Sequence, residues 1–206
     1  MARYTGADCK RCRREKVKLY LKGSKCDSPK CPMESRPFPP GQHGRNRGKE
    51  SEYSLQKREK QKAARIYGVL EKQFRKTFEE AARRKGVTGE NLIKLLEARL
   101  DNTIFRMGLA ASRPEARQLV THKHITVNGD VTNVPSYTCR PGDVIAYRPK
   151  SAHNSSIVSK QRARNTKFSW VDWNETTNSG TFITMPEREA VPENIKEQLI
   201  VELYSK

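Results

Sequence analysis

No stretch of the chain approaches eighteen consecutive apolar residues, so no segment has the hydropathy of a membrane-spanning helix. Met1 to Arg14 is polar and lacks the apolar centre of a signal peptide. A cytoplasmic or organelle-matrix location is expected, where disulfides are disfavoured. Apolar residues make up only 34% of the chain and aromatics 7%, so its core must be lean. Acids are scarce: 23 Asp and Glu face 41 Lys and Arg, a formal net charge of +18 over 206 residues. Such one-signed charge repels itself and points to a polyanionic partner, with nucleic acid first and an acidic membrane surface second. The final stretch, 151–206, contains no recognisable set of acid, base and nucleophile, and an enzyme is not expected.

The charge is graded along the chain. Residues 1–50 hold 14 basic and 5 acidic side chains, and 51–86 hold 11 and 5. Residues 87–150 hold 9 and 6, and 151–206 hold 7 of each. The N-terminal half should therefore supply most phosphate contacts.

Four of the five cysteines fall in two close pairs, Cys9-x2-Cys12 and Cys26-x4-Cys31. Each pair turns two thiolates toward one point, and the loop between them lets the pairs close around a tetrahedral ion. The segment has few apolar residues, chiefly Val17, Leu19, Tyr20 and Leu21, so a metal would contribute much of its folding free energy. Four thiolates complete a closed, structural shell, with zinc leading and an iron–sulfur cluster as the alternative. The competing reading is scattered reduced thiols. His43, in Gly41-Gln-His-Gly44, is expected at RNA or in a turn, and Cys139 in the core.

Arg36 to Gly48 is rich in Pro, Gly and Arg and reads as an extended basic arm that orders against RNA, or as an idle linker. Residues 51–86 read as helix, capped by Ser51 or Ser54, with a bend or break at Gly68 and a stop at Gly86. Leu55, Ile66, Tyr67, Leu70, Phe74 and Phe78 form its buried stripe; Lys57, Arg58, Lys60, Lys62 and Arg65 form its phosphate face. A further helix starts at Thr88 and buries Leu92, Leu95, Leu96 and Leu100.

Residues 97–150 read as a compact unit. A helix ends at Gly108, and Ser112-Arg-Pro-Glu115 is a capping box that opens the next helix. Ile125-Thr-Val127 leads into Asn128-Gly129, a type I′ hairpin turn, and Pro141-Gly-Asp143 turns into a strand at 144–147. Arg113, Arg117, Gln118 and Lys123 would line a basic edge sized for a nucleic-acid backbone; the plainer reading is a solvated helix face. Pro192 to Lys206 reads as an amphipathic helix that packs back on the N-terminal helices.

The run EARLDNTIFRMGLAASRPEARQLVTHKHITVNG, at the heart of 97–150, resembles the alpha-L type RNA-binding domain, which also occurs in pseudouridine synthases and tyrosyl-tRNA synthetases. MARYTG, PGQHG, LQKREKQKAARIYGVLEKQF and ENIKEQLIVELYSK extend the likeness over nearly the full length. Together they resemble the bacterial and organellar small-subunit ribosomal protein four family, in its cysteine-bearing, zinc-binding branch.

The resemblance implies an α+β fold: a mainly helical N-terminal domain with a metal-stapled arm, plus an RNA-binding domain of helix–turn–helix and small antiparallel sheet. The expected divisions are an arm at 1–50 and a helical domain at 51–96 completed by 192–206. The rest, 97–191, forms a second domain with the RNA-binding module at about 97–160. It implies a structural ribosomal constituent that binds the 5′ domain of 16S rRNA early in 30S assembly. It also implies a position near the path by which mRNA enters, contact with ribosomal protein five, and influence on decoding accuracy. RNA contact is carried onto Arg99, Arg106, Arg113, Arg117, Gln118 and Lys123, and onto Arg3, Arg45, Arg47 and Arg58. Residues 151–185 match the family least, leaving Trp170 and Trp173 open between core packing and an exposed contact. The alternatives are an RNA-modifying enzyme and a zinc-dependent nucleic-acid-binding regulator, separable by rRNA modification activity and by equal affinity for duplex DNA.

Overall fold

A computed structural model describes residues 3–45, 49, 51–154 and 168–205. Arg47 lies outside them. In chain order the elements are α1 (Asp8–Glu15), α2 (Ser24–Asp27), α3 (Pro32–Ser35), α4 (Glu52–Ile66), α5 (Glu71–Arg83), α6 (Thr88–Glu97), α7 (Leu100–Arg106) and α8 (Arg113–Thr121). Then come β1 (Ile125–Val127), β2 (Asp130–Val131), β3 (Val144–Tyr147), a 3-10 turn at Pro149–Asn154, β4 (Val171–Asn174), β5 (Ser179–Phe182) and α9 (Glu197–Tyr204). The class is α+β, as expected. The chain divides into two compact units, Met1–Leu92 with Glu193–Lys206, and Ile93–Pro192.

In the first unit, Ser51 caps α4: its hydroxyl accepts from the Ser54 amide at 3.3 Å. The helical run of 51–86 breaks into α4 and α5 at Gly68, whose φ of +64° favours glycine. The expected apolar stripe is shifted. Leu55 and Leu70 are exposed, and Gln56, beside Leu55, is buried instead, donating from Nε2 to Glu202 of α9 at 3.2 Å. Lys60, expected on the phosphate face, is also buried and pairs with Glu71 at 2.7 Å. The Glu59 carboxylate accepts from the Lys196 amide at 2.8 Å, and the Tyr204 hydroxyl donates to Glu71 at 2.9 Å. The Tyr204 ring lies 4.6 Å from Phe78 and 6.4 Å from the fully buried Phe74. Burying an aromatic side chain such as Phe74 stabilises by about 1.5–3 kcal/mol. α9 thus closes over α4 and α5 from the far end of the chain.

In the second unit, α7 and α8 accompany a five-stranded antiparallel sheet of order β2-β1-β3-β5-β4. Ser112 caps α8, accepting from the Glu115 amide at 3.4 Å, while the Glu115 carboxylate reaches back to the Ala111 amide at 2.7 Å. Asn128 and Gly129 both take positive φ, as a type I′ turn requires. The Asn128 side chain also ties this turn to β3, accepting from the Val144 amide at 2.8 Å and donating to Asp143 at 2.9 Å.

Strands β4 and β5 come from the stretch whose role the sequence left open. Trp170 and Trp173 are both core residues, 2% and 6% exposed. Trp173 meets Tyr147 edge-on at 6.0 Å, and Trp170 packs on Phe168 at 4.8 Å. Cys139 is buried, and burial pushes its thiol up to about 12. Where β4 crosses β5, a Cβ on Gly180 would stand 2.3 Å from the Asp172 carbonyl oxygen. Backbone cannot move aside as a side chain can, so Gly180→Val should destabilise this unit by about 1–3 kcal/mol or more. Chemical unfolding followed by tryptophan fluorescence measures the change; an unaltered midpoint contradicts the packing described.

Candidate nucleic-acid interface

The first unit carries a groove of about 1430 Å³. Its walls are built by three local devices. The end of α1 turns through Lys16, at φ +58°, and leaves Arg14 and Lys16 on the groove. The Pro37–Arg45 segment forms a second wall. It is tight at Gly44, where a Cβ would stand 1.9 Å from the Pro39 carbonyl oxygen, so only glycine fits there. The first turns of α4 supply Ser51, Ser54, Lys57 and Arg58.

Phe38 anchors the second wall. Two guanidinium groups stand over its ring, Arg13 at 5.2 Å and Arg45 at 4.9 Å, and its carbonyl accepts from Arg13 Nε at 3.0 Å. Arg14, Lys16, Arg45, Lys49, Lys57 and Arg58 thus line the groove, and no carboxylate does among the described residues. Glu15, between Arg14 and Lys16 in sequence, has its side chain 3% exposed and pairs with Arg65 and with Arg58, the latter at 3.3 Å. Burial pushes the Glu15 carboxyl up, while Arg65 and Arg58 pull it back. A concave, acid-free, cationic surface concentrates positive potential and attracts a polyanion backbone. His43 is exposed on the same wall.

The sequence-predicted contact residues fare differently. Arg45 and Arg58 lie in the groove, and Arg3 is exposed near the N-terminus. Gln118 and Lys123 are exposed at α8 and its exit, with Lys123 at φ +62°. Arg99, Arg106, Arg113 and Arg117 do not form an open edge. Arg106 binds Glu97 through two bonds of 2.8 and 2.7 Å, and Arg99 binds Asp101 through two of 3.1 and 2.8 Å. Arg113 donates to Asn102 at 2.7 Å, and Asn102 donates in turn to Glu97 at 2.8 Å. Arg117 reaches Asp101 at 3.3 Å. The Arg106, Arg99 and Arg113 side chains are only 3%, 6% and 9% exposed. They are held in ion pairs and hydrogen bonds within the module. The sequence missed this because a helical wheel counts charges on one element, whereas Glu97 and Asp101 arrive from neighbouring turns. It also missed Arg14, Lys16 and Lys49 as wall residues; their only signal was the charge excess of 1–50.

Cys9 and Cys12 lie one turn apart on α1, Cys26 on α2, and Cys31 caps α3. All four are free thiols, and Cys12, Cys26 and Cys31 are buried. Burial raises the Cys12 thiol, and Cys26, Cys9 and Cys31 are near enough to raise it further. Among the described residues no group of three or more His, Cys, Asp or Glu is drawn into metal-holding reach.

Comparison with known proteins decides the family. Residues 3–97 match the ribosomal protein S4/S9 N-terminal domain, and residues 98–145 match the S4 domain. The chain is 56% identical to small ribosomal subunit protein uS4 of Acidothermus cellulolyticus, over the whole of both chains. This chain belongs to the uS4 family. It is likewise 54% identical, over the whole of both chains, to the uS4 proteins of Frankia alni and Magnetococcus marinus. Glu97 is the last residue of the first match, and Arg106, its partner, lies within the second.

Removing one partner of such a pair leaves the other charge buried. Arg106→Ala should cost the second unit about 3–5 kcal/mol. Lys123→Ala, at an exposed site, should stay within about 0.5 kcal/mol. Denaturant titration compares the two, and equal effects contradict the division between structural and exposed cations.

Proposed function

We propose that this uS4-family chain is a structural constituent of the small ribosomal subunit, binding 16S rRNA rather than catalysing a reaction. Its place is then the ribosome, cytoplasmic in bacteria. The observation that carries the reading is the acid-free groove between α1, the Pro37–Arg45 wall and α4. The residues act by charge and shape: lysines and arginines neutralise phosphates and release counterions, which makes affinity fall steeply with salt. Gln118 and Lys123 add exposed polar contacts from the second unit. RNA recognition of this kind reads junction shape and backbone rather than duplex sequence.

The finer assignment is the 5′ domain of 16S rRNA, bound early in 30S assembly. Ribosomal protein five would be a neighbour and the mRNA path would lie close by, with influence on decoding accuracy. In this reading the arm at 1–50 and the helical domain at 51–96 with 192–206 grip the RNA. The second domain, 97–191, supplies a rigid reading surface. The groove is tested by the salt dependence of binding to an rRNA junction fragment. Replacing Arg45 and Lys57 together by alanine should lower the slope of log affinity against log salt by about two. An unchanged slope and affinity sinks the groove assignment.

We also propose that Cys9, Cys12, Cys26 and Cys31 hold one structural zinc ion, with an iron–sulfur cluster as the alternative. The donor set fits zinc: four thiols of one compact segment, three of them buried, with no disulfide among them. Bound zinc would supply folding free energy and hold the thiols as thiolates. Cys9→Ser and Cys26→Ser should each lose bound metal by native mass spectrometry. Amide exchange should quicken over α1–α3 and stay unchanged in β1–β5. Metal content unaltered in both variants refutes the ligand set, and visible absorption of the wild-type protein identifies the cluster instead.

A further inference from the structure

A second cavity of about 520 Å³ opens in the first unit, beside the groove. The two share Arg14 and Pro40 as lining residues. Their chemistry differs. The groove is cationic and acid-free, whereas the cavity joins the cations Lys10, Arg11, Arg14 and Arg65 to an apolar patch of Ala64, Val69 and Leu70. Over it stands Tyr4, with the Arg11 guanidinium 4.1 Å from the ring centroid. Tyr4 is 42% exposed, yet its position is defined: a Cβ on Gly6 would stand 2.5 Å from the Tyr4 hydroxyl, so the ring folds back over a residue with no side chain. Gln61 contributes a carboxamide to the lining and has no hydrogen-bond partner among the described residues. Glu71, the one acid there, is engaged by Lys60 and Tyr204.

An apolar patch, an aromatic ring with a guanidinium over it, and an amide bearing both donor and acceptor make the chemistry that reads a nucleobase. The phosphates of the same strand need a cationic track within one nucleotide's reach, and the groove on the other side of Arg14 and Pro40 is that track. We propose that this cavity receives one unstacked base of the RNA strand whose phosphates lie in the groove. The base stacks against Tyr4 and Arg11, and Gln61 hydrogen-bonds its edge. The proposal rests on the RNA-binding reading of the groove and adds to it a single-nucleotide subsite.

The test uses the full-length protein and an rRNA junction fragment in which each single-stranded nucleotide is replaced in turn by an abasic one. One abasic position should weaken wild-type binding about tenfold. Tyr4→Leu should weaken binding to the intact fragment by a similar factor, leave the salt slope unchanged, and make that abasic position neutral. Gln61→Ala, a milder change, should weaken binding severalfold at the same nucleotide only. 2-Aminopurine at that position should change fluorescence on binding the wild type and not Tyr4→Leu. Thermal melts confirm that both variants fold. Wild-type affinity in Tyr4→Leu, or equal loss at every abasic position, overturns the subsite. If Arg45 and Lys57 replacement weakens binding while Tyr4→Leu does not, the groove stands and the base subsite alone fails.

Discussion

Three buried carboxylates each hold two arginines. Glu15 takes Arg58 and Arg65, Glu97 takes Arg106 with Arg113 at its edge, and Asp101 takes Arg99 and Arg117. A chain with 41 basic and 23 acidic residues cannot fold compactly unless much of its positive charge is neutralised internally. The scarce acids are placed where one carboxylate serves two guanidinium groups. Arginine suits this because its planar fork binds a carboxylate bidentately and is weakly hydrated. The acids thereby sort the cations. Those that reach a buried acid become part of the framework, and Arg58 does so while still lining the groove.

The sorting explains why the groove carries no carboxylate. Glu15 sits one residue from Arg14 and Lys16, yet it turns inward to Arg58 and Arg65 and leaves its neighbours facing outward. The wall opposite is held by the contacts of Phe38 with two guanidinium groups and by the close turn at Gly44. Such a surface is repulsive to itself, and α4, which carries part of it, is anchored elsewhere. That anchor is α9, which returns from the end of the chain to bond Gln56, Glu59 and Glu71.

Much of the local structure was legible in the residues. The Ser51 and Ser112 caps, the break at Gly68, the Asn128-Gly129 turn and the α+β class all rest on one- to four-residue chemistry that acts wherever the chain goes. The family was legible too, because its signature runs are long and lie along the whole chain. The β4–β5 pair was not. Its strands flank a polar stretch of mixed composition, and what makes them core is Trp170 and Trp173 meeting Phe168 and Tyr147.

The sequence by itself determined the sign and size of the charge, the caps and turns, the paired thiols and the family. Only the tertiary structure decided which cations are buried and which line the groove. Charge is a property of a residue, but availability depends on which acid lies within a few ångströms, and Glu97 and Arg106 are brought together across a turn between helices. Lys60 read as a phosphate contact and is buried against Glu71, and Arg106 read as an RNA contact and lies in a buried ion pair; Arg14 and Lys16 read as part of a charge excess and line the groove. Desolvation makes that difference, since a buried guanidinium must have a carboxylate partner and an exposed one needs none.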